Sequence, residues 1–414
     1  MGIVVISLIL FYKSDRYKYP PGPVGLPILG SLPWLAFKDQ TEYIVELHKK
    51  YGSIFMIKIG SIKNIVINDY ETIKDFSNHP DFQDRPKAGV MNEFLQGYGV
   101  VDAEAFNKRF DYNDPEFIVR LESLNTFTEC STKTFIMSLF PSLTFIVKKY
   151  HEQIASSFSS FISQAEDVIK NHKGDYDENN PRDLIDLFFM EMKKSLNDES
   201  QAYLSTFTER QLKSLIVDLF IAGTETTSTT LRWAVVYMLH HPEIQQKIHT
   251  EIDEIVGPER PISMEDKSKL PLTLATLQEA ERLGSIVPWG IPRSNSKPAE
   301  FKGYKFPPRC VYLLNFYGLH RDKKLWKNPE KFDPTRFIDS NGKTFRPPYL
   351  MPFGSGKRYC AGESLARMET FLLFATLMQN FKLTHVGKDL PTLKPDSGGF
   401  RTPRSYSICA KPRN

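Results

Sequence analysis

The chain has 414 residues, 41% of them hydrophobic and 25% charged, and a formal net charge of +4. That is enough apolar material to bury a sizeable core. The positive excess is too weak to argue for nucleic acid, and no basic stripe with interleaved aromatics is present. Four cysteines, Cys130, Cys310, Cys360 and Cys409, are too few and too scattered for a disulfide framework or a zinc site, so a reducing compartment is expected. No Ser/Gly linker, repeat or low-complexity run divides the chain, and one large domain from about Pro20 onward is expected.

Ile3 to Tyr12 is apolar but for Ser7. As a helix it would span about 15 Å, half of the ~30 Å hydrocarbon core of a bilayer. No small-residue cleavage site follows, and Lys13, Arg16 and Lys18 come directly after it. Residues 1–19 are read as a short membrane anchor and linker, with the body left on the cytosolic side. A disordered N-terminus is the plainer alternative. Pro20-Pro21-Gly22-Pro23, continued by Pro27 and Pro33, stiffens the next stretch because proline fixes φ. Thr41 to Tyr51 is helical by pattern. Ile54 to Ile59 and Asn64 to Ile67 read as a hairpin across Gly60-Ser61, and Tyr70 to Arg85 as a helix and a loop.

Phe145, Ile146, Tyr150, Ile154, Phe158, Phe161, Ile162, Ala165 and Ile169 recur at three- and four-residue steps, which predicts one long amphipathic helix. A polar loop, Gly174 to Asn180, ends it, and Pro181 suits the first turn of the next helix. Glu209 to His240 reads as a long helix interrupted by Ala222 to Thr230. Six of those nine residues are Ser or Thr, poor choices for a buried helix interior. Leu219, Ala222, Gly223, Thr226 and Thr230 share one face. Ala222 and Gly223 leave room beside the helix, Thr226 places a hydroxyl there, and Glu225 adds a carboxylate next to it. Either these hydroxyls bond back to carbonyls one turn earlier, or the broken local preference marks a functional site.

Leu270 to Leu283 is predicted helical, with Gly284 as its stop. Glu279 and Arg282, three apart, lie on one face. Ten of the 28 prolines fall between Pro288 and Pro352, a region of loops and short strands. The fold class expected is mainly α with small β-sheets, an α+β arrangement.

Near the C-terminal end stands Met351-Pro-Phe-Gly-Ser-Gly-Lys-Arg-Tyr-Cys-Ala-Gly-Glu363, followed by an apolar run, Leu365 to Phe381, at helical spacing. A thiolate at neutral pH needs a helix N-terminus, N–H donors or nearby cations. Cys360 has the helix that begins near Gly362, a Gly-rich loop, and Lys357 with Arg358. Gly354, Gly356 and Gly362 allow close approach to something large and flat. A thiolate axial ligand to haem iron fits, since it donates electron density that favours O–O cleavage.

Phe353-x-x-Gly356-x-Arg358-x-Cys360-x-Gly362 fixes five positions. At roughly one in twenty each, a chain this long matches by chance about once in ten thousand. With these residues the sequence resembles the cytochromes P450, the haem-thiolate monooxygenases, and is similar to animal microsomal members over residues 18–100 and 110–410. The resemblance implies haem held by Cys360 as metal ligand, with Phe353, Gly356 and Gly362 in the loop around it. It places Arg358 on one haem propionate. Arg293 would meet the other, unless it is an ordinary exposed arginine. Ala222, Gly223, Glu225 and Thr226 match the family's small-Gly-x-acid-Thr signature, with Glu where many members have Asp, and imply catalytic proton delivery by Glu225 and Thr226. Glu279 and Arg282 match a buried structural pair that Arg336, in Asp333-Pro-Thr-Arg-Phe337, would join.

No Gly-x-Gly-x-x-Gly fingerprint is present, so electrons are expected from a separate protein. The resemblance implies NADPH-cytochrome P450 reductase, with cytochrome b5 as a further donor; Lys357, Arg358 and Arg367 on the cysteine side could help attract an acidic partner. It also implies a lipophilic small-molecule substrate and the endoplasmic reticulum membrane, the catalytic domain (residues 20–414) on its cytosolic face. One departure stands out. The family has a helix whose Trp and Arg bind a propionate, whereas the tryptophans here are Trp34, Trp233, Trp289 and Trp326. The shortfall falls near Val101 to Arg109. A haem-poor or inactive form is therefore an alternative function. A haem-thiolate isomerase or dehydratase needing no electrons is another, against which the intact Ala222 to Thr227 segment argues.

Overall fold

A computed structural model of the chain describes residues 17–37, 39–60, 62–86, 148–197, 207–396 and 400–413, with a few more between 118 and 127. Ile3 to Tyr12, the Val101–Arg109 stretch and Cys130 lie outside the described residues. Those described fall into two units, each taken by itself.

The first unit gathers the residues numbered below 88 with 287–327 and 354–359. Its first long helix, α1 (Gln40–Tyr51), starts where the Asp39 carboxylate accepts the N–H groups of Thr41 and Glu42 at 2.9 and 3.2 Å. Strands β1 (Ile54–Ile59) and β2 (Ile62–Ile67) form the expected antiparallel hairpin, Ile54 opposite Ile67. Helix α2 (Tyr70–Asn78) is capped by Asp69, which accepts from Thr72 N–H at 3.0 Å. From the proline-rich region come β3 (Ala299–Phe301), β4 (Tyr304–Phe306) and β5 (Val311–Leu314). β3 and β4 pair antiparallel, and β5 adds to β2 in parallel, Asn64 beside Val311. Two backbone bridges, Asp84–Ser294 and Arg293–Tyr312, bring the chain around residue 84 against that around residue 293. Phe76, Phe82, Phe301, Phe306 and Tyr312 stack and meet edge-on around them, with Phe76 and Phe82 centroids 4.5 Å apart. Each such ring removed from water contributes about 1.5–3 kcal/mol.

The second unit holds the remaining described residues. Helix α3 (Lys148–Asp175) buries Ile154, Phe158, Phe161, Ala165 and Ile169, the apolar stripe read from the sequence. Helix α4 (Leu184–Asn197) begins later than Pro181 predicts. The reason is local. Asp183 accepts the N–H groups of Ile185 and Asp186 at 2.9 and 3.1 Å, so the aspartate is the cap and the proline precedes it. Helix α5 (Glu209–His240) runs without the interruption expected at Ala222–Thr230.

Helices α6 (Pro242–Ile255) and α7 (Pro271–Gly284) follow. The N-terminus of α7 is capped from α6, where the Glu251 carboxylate accepts from Leu272 and Thr273 N–H. Gly284 belongs to the helix and does not stop it. Ser285, left-handed at φ 41°, ends α7 and donates its hydroxyl to the Arg282 carbonyl at 2.7 Å. A Cβ on Gly284 would lie 3.1 Å from the Trp233 ring, so packing explains that glycine. Helix α8 (Glu363–Asn380) leads into β6 (Phe381–His385), which pairs with β7 (Ile408–Pro412).

Two cores divide α5 between them. Leu212 to Leu219 pack with α3 and α4, whereas Trp233 to Leu239 pack with α6, α7 and α8. The stretch between, where Ala222 and Thr226 stand, is half-buried.

Candidate active site

Cys360 lies two residues before Gly362, the N-cap of α8. Gly362 supplies no capping side chain, so the first-turn N–H groups of the helix keep partial positive charge at the end next to the cysteine. The Cys360 N–H donates to the Phe353 carbonyl at 2.8 Å, and its carbonyl accepts from Glu363 N–H at 3.4 Å. The residue is half-buried. The other described cysteines differ. Cys310 is buried and its thiol is pushed up to about 11, chiefly by burial. Cys409 sits on β7 opposite Thr384.

In the first unit the guanidinium groups of Arg85, Arg293 and Arg358 influence one another. Arg293 is only 2% exposed and donates to the carbonyls of Ser77 and Ser355 at 3.2 and 3.1 Å, so it is the buried arginine of the two alternatives. Arg85 donates to Ile291 and Pro292 carbonyls, both at 3.0 Å, and Arg358 Nε to Gln83 at 2.7 Å. Burial first, then Arg358, pushes Arg85 down to about 10. Burial, then Arg85 and Arg358, does the same to Arg293. Among the described residues no carboxylate pairs with any of the three. Gathered cations served only by carbonyls are short of an anion.

Sequence reasoning missed Arg85. No spacing connects residue 85 to residues 293 and 358; only the bridge between Asp84 and Ser294, closed by Ser294 N–H to Asp84 carbonyl at 2.8 Å, puts it there. Gly356 also has a different cause from the one expected. At φ 70° its missing Cβ leaves room for the Ser77 carbonyl, which a Cβ would approach to 2.2 Å. The chain's own backbone needs that glycine.

On α5 the Thr226 hydroxyl donates to the Ala222 carbonyl at 2.7 Å, and the Thr230 hydroxyl to Thr226 at 2.9 Å. The back-bonding alternative is thus realised for both. The Glu225 carboxylate accepts from the Thr229 hydroxyl at 3.3 Å, one turn on. Ala222 and Gly223 stand beside them, half-buried.

The ionic staple forms as expected. Glu279 and Arg282 are both fully buried, with Nε to Oε2 at 2.7 Å and Nη2 to Oε1 at 2.8 Å. Arg336 Nε donates to Glu279 at 3.1 Å, and Arg282 also serves the Pro329 carbonyl at 2.7 Å. The three side chains tie α7 to the loop around residues 329–336. Arg367, expected to help attract an acidic partner, is engaged by Glu363 at 2.8 Å and Glu281 at 3.5 Å.

In the second unit an uncapped helix end adjoins a half-buried thiol; in the first, three arginines gather with no carboxylate partner among the described residues. The comparisons give the family. A family profile described as Cytochrome P450 matches residues 20–105 and 98–410. The chain belongs to the cytochrome P450 family, haem-binding oxidoreductases of the monooxygenase type. It is similar to cytochrome P450 18a1 of Drosophila melanogaster, 31% identical over 496 residues, with 100% of this chain and 91% of the relative covered. Cytochrome P450 2C20 of Macaca fascicularis and cytochrome P450 2C8 of Homo sapiens are each 30% identical over 486 residues, covering 99% of this chain and 98% of each relative. These alignments are longer than the 414 residues of the chain, so stretches of each relative have no counterpart here. The family match is itself in two pieces that meet near residues 98–105.

Proposed function

We propose that the chain inserts one oxygen atom of O2 into a lipophilic small molecule, with electrons supplied by a separate reductase. The observation that carries this is the contrast among thiols: Cys360 alone of the described cysteines adjoins an uncapped helix N-terminus. Bound haem would supply O2 activation at an iron whose thiolate ligand favours O–O cleavage. Cys360 would be that ligand, its negative charge favoured by the N-terminus of α8. Arg85, Arg293 and Arg358 would pair the propionates. Phe353 fixes the Cys360 peptide through its carbonyl. Thr226 and Glu225 are the proposed proton-handling groups. The Thr226 hydroxyl donates to the Ala222 carbonyl and the Thr229 hydroxyl to Glu225; rotation of the Thr226 hydroxyl away from that carbonyl would free it to donate elsewhere. Ala222 and Gly223, both small, would leave room beside the helix for O2.

The layout proposed is an anchor and linker over residues 1–19 and a catalytic domain over residues 20–414. A place at the endoplasmic reticulum membrane, body on the cytosolic side, rests on Ile3–Tyr12 and the basic residues after it. Among the described residues no helix is long and apolar enough to cross a membrane. NADPH-cytochrome P450 reductase, with cytochrome b5 as a further donor, is the proposed electron source, and the exposed Lys357 and Arg358 are suited to an acidic partner. The two-piece family match supports a second reading, a haem-poor form of low activity.

The test is turnover with purified reductase, NADPH and isotopically labelled O2 against a panel of lipophilic compounds. Product carrying one labelled oxygen, and only with reductase present, is expected. Product formed without electrons, or oxygen drawn from water, would overturn the reading.

A further inference from the structure

Two residues hold the Cys360 peptide, and one side chain touches both. Phe353 takes the Cys360 N–H on its carbonyl at 2.8 Å, and Glu363 gives its N–H to the Cys360 carbonyl. The Arg367 guanidinium lies over the Phe353 ring, 4.7 Å from its centroid, and its Nε donates to the Glu363 carboxylate at 2.8 Å. Arg346 repeats the pattern more loosely, 5.9 Å from the same centroid and 2.9 Å from the same carboxylate oxygen.

Glu281, from α7, faces Arg367 at 3.5 Å with a nearly buried side chain. Arg367 Nη2 and Glu281 Oε2 are both buried without a hydrogen-bond partner.

We infer that Arg367 is a positioning residue for the Cys360 loop, clamping Phe353 and Glu363 together, and that Glu281 is its balancing counter-charge. The inference rests on the haem-thiolate reading of Cys360. A cation–π contact and an ion pair from one planar guanidinium fix a ring and a helix start relative to each other, which a flexible ammonium does less well. The same charges act on the electron affinity of whatever the thiolate binds. A nearby cation favours electron uptake and a nearby carboxylate opposes it.

The experiment compares the full-length haem-loaded protein with Arg367→Leu, Arg367→Lys and Glu281→Gln. It reads the fraction of reduced, carbon monoxide-bound protein that keeps the thiolate-type Soret band, and the reduction potential. The potential is measured on the alkaline side of the value of about 7 to which burial pushes the Glu281 carboxyl. Arg367→Leu should lose thiolate-type band and shift the potential down. Arg367→Lys should recover part of both, and Glu281→Gln should shift the potential up with the band retained. If Arg367→Leu is not recovered folded, the opposite signs of Arg367→Lys and Glu281→Gln decide. Parent-like band and potential in the arginine variants, or shifts of one sign in all variants, would overturn the inference alone. A parent protein with haem but no thiolate-type band would overturn the haem reading and this inference with it.

Discussion

At the scale of single residues, the Thr226 hydroxyl bonds back to the Ala222 carbonyl, and the proposed role for it is proton supply, not haem binding. Thr226→Ala should leave haem content unchanged while NADPH and O2 are still consumed, product falls and peroxide rises. The loss of product approaches the about 10²–10⁴-fold that one general acid contributes. Thr226→Ser should keep coupling. Unchanged product per NADPH in the alanine variant contradicts the role. Glu281 gives a pH prediction. Burial raises its carboxyl from 4.5 to about 7, against the lowering effect of Arg346 and Lys267. A raised folded value means stability that is present below about 4.5 and lost as pH rises through about 7. Glu281→Gln should therefore melt higher than the parent above neutral pH, by less than about 3 kcal/mol since Arg367 loses a partner, and show no gain at acid pH. Melting curves across that range check it. A gain confined to acid pH is the wrong sign.

At the scale of elements, the staple between α7 and the 329–336 loop is the joint most sensitive to mutation. Glu279→Ala leaves Arg282 buried without its carboxylate and should cost about 3–5 kcal/mol. Arg336, at the edge of the same carboxylate with 11% of its side chain exposed, should cost clearly less on replacement by alanine. Denaturant midpoints decide, and the reverse order would contradict the burial argument. Spacing alone puts Glu279 and Arg282 on one helix face; their burial and the part of Arg336 are expected only from the family resemblance. Glu209 to His240 reads as a long helix, and the structure keeps those bounds, with the Thr208 hydroxyl accepting from Gln211 N–H at its start. Other features were hidden, for physical reasons. Asp183 and not Pro181 starts α4, since a side-chain cap outweighs a permissive ring. Ser285 takes the left-handed turn that glycine usually takes, leaving Gly284 to make room for Trp233. Arg85 joins Arg293 and Arg358 only through strand-like bridges between distant segments, which no local period records.

At the scale of the whole molecule, the family match breaks near residues 98–105, and relatives carry stretches absent here. We propose that the family's Trp-bearing helix is among those stretches; its loss would take with it a propionate partner and the apolar cover of its neighbours, worth about 25 cal/mol per Å². Grafting a relative's segment between Val101 and Arg109 should raise haem occupancy, reduce aggregation and improve coupling to a reductase. Equal occupancy and turnover in both forms would show the shorter chain to be a complete enzyme. The central claim, that Cys360 ligates haem as a thiolate, has a more direct test in the reduced, carbon monoxide-bound spectrum of the parent protein beside Cys360→Ser, Cys310→Ser and Cys409→Ser. The parent and the latter two should show the strongly red-shifted Soret band of thiolate ligation, and Cys360→Ser should lack it. A band that survives in Cys360→Ser and vanishes in Cys310→Ser or Cys409→Ser would contradict the account.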